Sequence, residues 1–465
     1  MATMLLDSPT AGVDEDSRGS VPHMPPRWVR WGALSLIVLV ALMIRYQFVD
    51  FETMDYRAFL SRWYQQIADA GGFSAFKEKF ADYNYPYLYL LAILTYLHIP
   101  ALLGVKLISV IFEVVLAVFA YRIVALKTER FWLRALAFGL MLLLPSVVAN
   151  GSIWGQADAV YSACAVGGVY FLMRAHARDE WRRNPFWACV FFGLALAFKL
   201  QAIFVLPVLA FLLLRRKLPW YSLLAIPAVY LLLDVPALVV GAPWRTVLSV
   251  YLDQTDSYKQ LTLGAANLYQ LIPISGDATW LAHAGIACAA AMIVAFLGWS
   301  VWSKPPVTAM TILLVSTASA VIVPFLLPAM HDRYFYIAEI LTVLLAFFLP
   351  VRYMIVPILV QASAIGVYHS SLSGDQGHAM GGFGGGQGHR GGQTPGGHPG
   401  SGGGHGPGSR PGGGLGGPGG GSGGYTSGRG DTALTVYGSM MALAVISVIY
   451  AVVDTFRSLT KSESH

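Results

Sequence analysis

Charge is scarce in this chain. Only 12% of its 465 residues are Asp, Glu, Lys or Arg, against 55% hydrophobic. Water-soluble domains carry about 25% charged residues, so a soluble globular body is excluded. Cysteine is scarcer still. Cys164, Cys189 and Cys288 all fall in apolar stretches, at spacings that make no zinc motif and no disulfide framework. They read as small core residues. The ~10-residue alternating segments of a membrane β-barrel are missing, and so is any internal repeat. No small-residue cleavage site follows the first apolar run, which therefore reads as an uncleaved anchor. The net charge of +6 lies in short clusters between apolar runs, a pattern that points to membrane orientation and not to nucleic acid.

What the chain has is apolar length. Runs of about 20 residues recur from Trp31 to Val453, which makes this an all-α, polytopic helical membrane protein. About twelve spans are expected, near 29–48, 104–126, 134–150, 158–175, 186–199, 201–214, 221–240, 280–302, 307–328, 335–350, 353–371 and 432–454. Basic clusters at Lys127/Arg130/Arg134, Arg174/Arg178/Arg182/Arg183, Arg215/Arg216/Lys217, Lys304, Arg352 and Arg457/Lys461 fall on one side, with both termini, and that side is the cytoplasm. The expected organisation is a polar, disordered segment 1–27, a membrane core 28–371, a Gly-rich disordered outer loop 372–431, a last span 432–456 and a tail 457–465. Outer loops are expected over 49–103 and 241–275.

Two stretches need parity to place them. Pro86–Leu103 is apolar enough to span, but counting it would put Lys127–Arg134 outside, so it is expected as a helix along the outer interface. Phe59, Trp63 and Ile67 before it share a helical face by their spacing. Trp187–Leu214 has basic residues at both ends, so the chain should cross twice with a turn at Lys199–Gln201. Each arm of about 14 residues reaches only about 21 Å, and the turn would stop below the outer surface, where it must line a polar cavity. One long tilted span is the competing reading.

Four polar motifs then share the outer side: Asp55, Trp154-Gly-Gln156-Ala-Asp158, Lys199-Leu-Gln201 and His331-Asp332-Arg333-Tyr334. Ionisable groups are costly in hydrocarbon, so their gathering reads as an active site at a membrane surface. Each also has a plainer role. Asp55 could cap a helix, and Asp50 or Glu52 could serve in its place. Trp154 and Tyr334 could be interface aromatics. Gln156 and Asp158 could cap the next helix. Lys199 could snorkel to headgroups, and His331-Asp332-Arg333 could be a solvated loop. Glu113, Asp234 and Glu339, inside apolar segments, are expected to form structural pairs, Glu113 with Lys106 or with another span.

Met54-Asp55-Tyr56-Arg57-Ala-Phe59-Leu60-Ser-Arg-Trp63, Gly71-Gly72-Phe73 and Tyr83-Asn84-Tyr85-Pro86 together resemble the first outer loop of the GT-C superfamily of membrane glycosyltransferases. With Trp154–Asp158 and Met330–Tyr336, the likeness extends to bacterial relatives of the mannosyltransferase that adds the second mannose of glycosylphosphatidylinositol anchors. It covers about residues 28–370. The chain departs at Pro86-Tyr87, where Pro-Pro is usual, and in its Gly-rich insertion.

The resemblance implies transfer of a sugar from a polyprenyl-phosphate carrier to an acceptor hydroxyl, usually with inversion, on the periplasmic side of a bacterial inner membrane. The acceptor would be a glycan, a lipid-linked glycan or a protein. The likeness places the general base on Asp55. Tyr56, Arg57, Trp154, Gln156, Asp158, Lys199, Gln201, His331, Asp332, Arg333 and Tyr334 are the expected substrate-binding residues, with Lys199, Arg333 and His331 as cations for the leaving phosphate. No cofactor is implied. A divalent metal between Asp55 and Asp158 is possible, but no spacing compels it. The competing functions are a transporter or flippase of lipid-linked sugars, a polysaccharide polymerase, and an inactive scaffold.

Overall fold

The computed structural model describes residues 24–256, 258–374 and 424–463. Helix α1 (Arg27–Tyr46) leads into an outer segment with α2 (Ser61–Asp69) and α3 (Tyr85–Tyr96). Then come α4 (Ala101–Ala125), α5 (Phe131–Leu143), α6 (Pro145–Val148), α7 (Asp158–Ala177), α8 (Arg183–Phe198) and α9 (Pro207–Leu214). Helices α10 (Ala225–Val240) and α11 (Trp244–Asp256) follow. A strand β1 (Thr262–Leu263) precedes α12 (Thr279–Ser303) and α13 (Ala309–Leu326). Its parallel partner β2 (Met330–His331) precedes α14 (Tyr336–Ala346), α15 (Ile355–Ser373) and α16 (Thr432–Glu463).

The fold is a helical bundle built for a bilayer. Among the described residues, eight helical stretches are long and apolar enough to cross one, against the twelve segments expected. The difference has a physical basis. Helices α8 and α14 have 16 and 11 residues, and the Leu200–Leu214 stretch is equally short. Helix α7 has 20 residues, but Asp158, Ser162, Gly167, Gly168 and Arg174 dilute its apolar content. It is the central helix, packed on α4, α8 and α13. Small residues permit this. A Cβ at Gly168 would lie 2.8 Å from the Phe192 ring, and one at Gly167 2.5 Å from Phe191. Close backbone approach through such positions is how helices associate where lipid offers no hydrophobic drive.

Helix ends sort into two groups. At one end Lys127 Nζ donates to Phe347 O at 2.7 Å, Arg215 Nη2 to Lys304 O at 3.1 Å, and Arg352 Nη2 meets Asp454 Oδ2 at 2.7 Å. The basic clusters thus share an end, as positive-inside bias requires. Lys217 Nζ also sits 5.2 Å from the centre of the Trp181 ring. The chain therefore leaves this end at α8 and comes back to it at α9. Between them Lys199 is extended (φ −155°, ψ 134°), which breaks the helix. The out-and-back path agrees with this geometry; one long tilted span does not.

The first outer segment departs from its expected pattern. Trp63 and Ile67 are buried, but Phe59 is 44% exposed. Residues Tyr56–Leu60 form a π-helical turn, whose wider pitch shifts the register and turns Tyr56 and Leu60 inward instead. Helix α3 is also more enclosed than an interfacial helix. Tyr85, Tyr87, Leu88, Leu91 and Ala92 are all buried, and α3 packs on α2, α4, α8 and α10.

The buried charges also find partners that differ from expectation. Glu113 pairs with Arg45 at the end of α1, Nη2 to Oε2 at 2.6 Å, and not with Lys106. Lys106 instead donates to the carbonyls of Phe48, Val49 and Phe51, clamping the start of the outer segment. Glu339 accepts from Tyr368 Oη at 3.0 Å. The expected pairing fails for Asp234, whose two carboxylate oxygens are buried without a hydrogen-bond partner among the described residues.

The Gly-rich loop expected over 372–431 is ordered at its two ends. Helix α15 continues to Ser373, and residues 424–430 stitch onto the second outer loop. Leu261 N–H donates to Thr426 O at 2.8 Å, Thr426 N–H to Lys259 O at 2.9 Å, and Arg429 Nε to Gln270 O at 2.9 Å. Residues 375–423, with His378, His389, His398 and His405, and most of the N-terminal segment 1–27 lie outside the described residues.

The Arg45–Glu113 pair generates a prediction. Arg45→Met alone should lower stability by about 3–5 kcal/mol, because it strands a buried carboxylate. Arg45→Met/Glu113→Leu should recover most of that loss, as read by the thermal midpoint in detergent. A double variant no more stable than the single one would contradict the assignment.

Candidate active site

The site forms where the ends of α4, α7, α8 and α13 meet the first outer segment. Residues Ala149–Trp154 make a second π-helical turn, ended by Gly155 in a left-handed conformation (φ 77°) that favours glycine. The chain then reverses into α7. The reversal is pinned from both sides: Thr53 Oγ1 donates to Trp154 O at 3.0 Å, and Ser109 Oγ to Gln156 O at 2.7 Å.

That reversal aims two side chains at Asp55. Trp154 Nε1 donates to Asp55 Oδ2 at 3.0 Å and Gln156 Nε2 to the same oxygen at 2.9 Å. Arg333 Nη1 lies 3.4 Å from it and 3.3 Å from Asp332 Oδ1. The Arg333 guanidinium also lies 5.6 Å from the centre of the Trp154 ring. Three donors on one oxygen, one of them charged, fix the orientation of the Asp55 side chain.

A second charge pair stands beside this cluster. Lys199 Nζ meets Asp158 Oδ1 at 2.5 Å, and Asn150 Nδ2 donates to Asp158 Oδ2 at 2.9 Å. The ammonium also lies 5.6 Å from the Tyr83 ring centre and 5.9 Å from that of Tyr161. Tyr83 Oη approaches Gln156 Oε1 at 3.5 Å and so links the two groups. The turn at Lys199 therefore lines a polar pocket, as its depth demands.

A cavity of about 450 Å³ opens from these residues. Lys199, Arg333, His331 and Tyr83 line its polar part; Phe204, Leu327 and the exposed Ile203 and Ile286 line its apolar part. Tyr258 and Tyr425 close another side. Asp332 is held by Ser371 Oγ at 2.8 Å and by its own N–H to Leu263 O at 3.1 Å, so the β1–β2 pairing positions the whole His331–Tyr334 turn.

Charge states follow from these neighbours. Burial opposes ionisation of Arg333, but Asp55 and Asp332 outweigh it and raise its pKa. Burial pushes His331 down to about 3, with Arg333 and Lys199 adding to the shift. His331 is thus a neutral ring, set edge-on to Tyr258, and not the third cation expected from its position. Lys199 and Arg333 are the cations of the cavity.

Most expected residues converge: Asp55, Trp154, Gln156, Asp158, Lys199, His331, Asp332, Arg333 and Tyr334, with Gln201 in the cavity wall. Two do not. Arg57 pairs with Glu52 at 2.7 Å at the exposed rim, and Tyr56 is buried beneath the loop. Asp158 is paired with Lys199 on one oxygen and with Asn150 on the other. Among the described residues no group of three or more His, Cys, Asp or Glu side chains is placed to hold a metal. Tyr83, Asn150 and Tyr425 are additions. Tyr83 lies in a motif already noted; Asn150 and Tyr425 carry no local signal.

The neutral His331 sets a pH dependence. Its folded pKa lies below the ordinary value of about 6.5, so its contribution to stability is complete above that value. The contribution is lost as pH falls from about 6.5 towards 3. His331→Gln should flatten the acid limb of thermal stability against pH. An unchanged acid limb would mean that His331 protonates freely.

Comparison with known proteins gives a family match over part of the chain. Residues 86–245, about a third of the chain, match the family described as dolichyl-phosphate-mannose-protein mannosyltransferase. The matched stretch carries Trp154, Gln156, Asp158 and Lys199, and stops short of Asp55 and Arg333. Searches of curated proteins and of solved structures found no match. The family match and the apolar helices together support a multi-pass membrane glycosyltransferase of the mannosyltransferase type.

Proposed function

We propose that this chain moves a sugar, mannose or a similar hexose, from a polyprenyl-phosphate carrier to an acceptor hydroxyl, with Asp55 as general base. In this reading twelve segments cross the membrane, and the site faces the periplasm of a bacterial inner membrane. The glycosylphosphatidylinositol-type resemblance and the matched protein-mannosyltransferase family share this donor chemistry.

The observation that carries the reading is the joining of one held carboxylate, through Arg333, to a cavity with two fixed cations and an exposed apolar side. A polyprenyl phosphate needs both surfaces. Its phosphate would lie against Lys199 and Arg333, and its tail would leave past Ile203 and Ile286. The acceptor oxygen attacks the anomeric carbon while its proton passes to Asp55. The bond from that carbon to the phosphate oxygen breaks, and the released phosphate keeps the electron pair. Charge spreads over an oxocarbenium-like sugar and the departing phosphate. Preformed cations at that phosphate lower the barrier without reorganising. Neutral His331 and Tyr258 add an uncharged wall for the sugar.

Asp55→Asn keeps the shape of the carboxylate and removes its basicity. Turnover should fall by about 10²–10⁴-fold while donor binding persists. Arg333→Gln should weaken donor binding as well as turnover, because the phosphate is present in both the ground and transition states. Lys199→Met is best paired with Asp158→Asn, so that no carboxylate is left unpaired. The measurement is transfer of radiolabelled sugar by purified, folded protein. Near wild-type transfer by Asp55→Asn, with loss on Asp50→Asn or Glu52→Gln, would move the base elsewhere in the loop.

A further inference from the structure

Helix α1 stands apart from the bundle. It packs mainly on α5, and Leu36, Leu39 and Met43 are each more than half exposed. Between α1 and α4 lies a cleft of about 900 Å³ with Phe138 of α5 at its base. Its walls are apolar: Leu34, Val38 and Leu42 on one side, Val114 and Val118 on the other. Its mouth, at the end shared by the basic clusters, is not. Arg27, Arg30 and Arg122 all line it, beside Trp31 and Tyr121. Among the described residues none of these three guanidinium groups has an acidic partner, and Arg30 Nε is buried without a hydrogen bond.

We infer that this cleft binds one anionic phospholipid, with its phosphate among Arg27, Arg30 and Arg122 and its acyl chains between α1 and α4. Charge complementarity selects the headgroup, and Trp31 and Tyr121 sit where interfacial aromatics are favoured. The apolar walls below the arginines select a lipid over a free anion. A small phosphate would leave that surface bare, whereas two hydrocarbon chains cover it. The site also has a consequence for the rest of the molecule. Helix α1 is tied to α4 by the Arg45–Glu113 pair, and the chain runs from α1 directly to Asp55. A lipid wedged in the cleft supports α1 along the half that this pair does not reach.

The test is independent of the transferase reading, because it measures binding and not turnover. Delipidated full-length protein is mixed with equimolar phosphatidylglycerol and phosphatidylcholine in micelles and examined by native mass spectrometry. Each guanidinium near an anionic headgroup is worth roughly fivefold in affinity. Wild type should therefore retain phosphatidylglycerol over phosphatidylcholine by about tenfold or more. Arg27→Gln/Arg30→Gln/Arg122→Gln should bring the ratio close to one. Should the triple variant not fold, Val118→Trp fills the cleft, keeps all three arginines, and should also lose the retained lipid. Equal retention of both lipids by wild type would overturn the inference, as would an unchanged preference in the variants. Displacement of the lipid by millimolar inorganic phosphate would show a small-anion site instead. The N-terminal segment carries Asp7, Asp14, Glu15 and Asp16. A preference that emerges only after deletion of residues 1–23 would mean that this segment, and not lipid, fills the cleft.

Discussion

An ammonium and a carboxylate with little access to water fix the middle of this fold. The Lys199 side chain is 10% exposed and that of Asp158 is fully buried. Neither charge would be tolerated alone at this depth. Together they join the turn between α8 and α9 to the first residue of α7, where a carboxylate also suits the helix dipole. This junction has two effects. It lets a short, broken hairpin stop inside the bundle, and it sets the start of α7. The three residues before that start are Gly155, Gln156 and Ala157, with Trp154 just ahead of them. The groups that grip Asp55 are therefore positioned by a charge pair they do not touch.

The Asp55 cluster builds on this frame with a different economy. The Asp55 side chain is partly exposed, so desolvation is milder than at Asp158. Trp154 and Gln156 orient the carboxylate and Arg333 supports its charge. The same arginine faces the cavity, where an anionic ligand would compete with Asp55 for it.

Much of the architecture was legible from residue types. Apolar runs marked the helices, and basic clusters marked their shared end. Basic flanks around Trp187–Leu214 predicted a hairpin with its turn at Lys199, and the proximity of Lys217 to Trp181 agrees. The residues of the site were readable because charge and amide groups are conspicuous in an apolar chain. Pairings were not readable. Glu113 lies 68 residues from Arg45, and no local rule connects them. The π-helical turn at Tyr56–Leu60 defeated the helical period that put Phe59 inward. His331 looked like a cation because its charge state depends first on burial, and then on Arg333 and on Lys199; the burial and the approach of Lys199 come only with the fold. Tyr425 and Thr426 were hidden by the glycines before them, since a two-residue pairing leaves no pattern in composition.

The central claim is catalysis on a lipid-linked sugar. It is tested most directly by incubating purified protein, in detergent and without any gradient, with a panel of radiolabelled polyprenyl-phosphate sugars, and following the label by thin-layer chromatography. The account predicts that label leaves one of these carriers, by transfer or by hydrolysis, and that mannose or a near relative is the sugar released. Binding of such a carrier with no release of label under any acceptor condition would contradict it, and would favour transport of the lipid-linked sugar over its use.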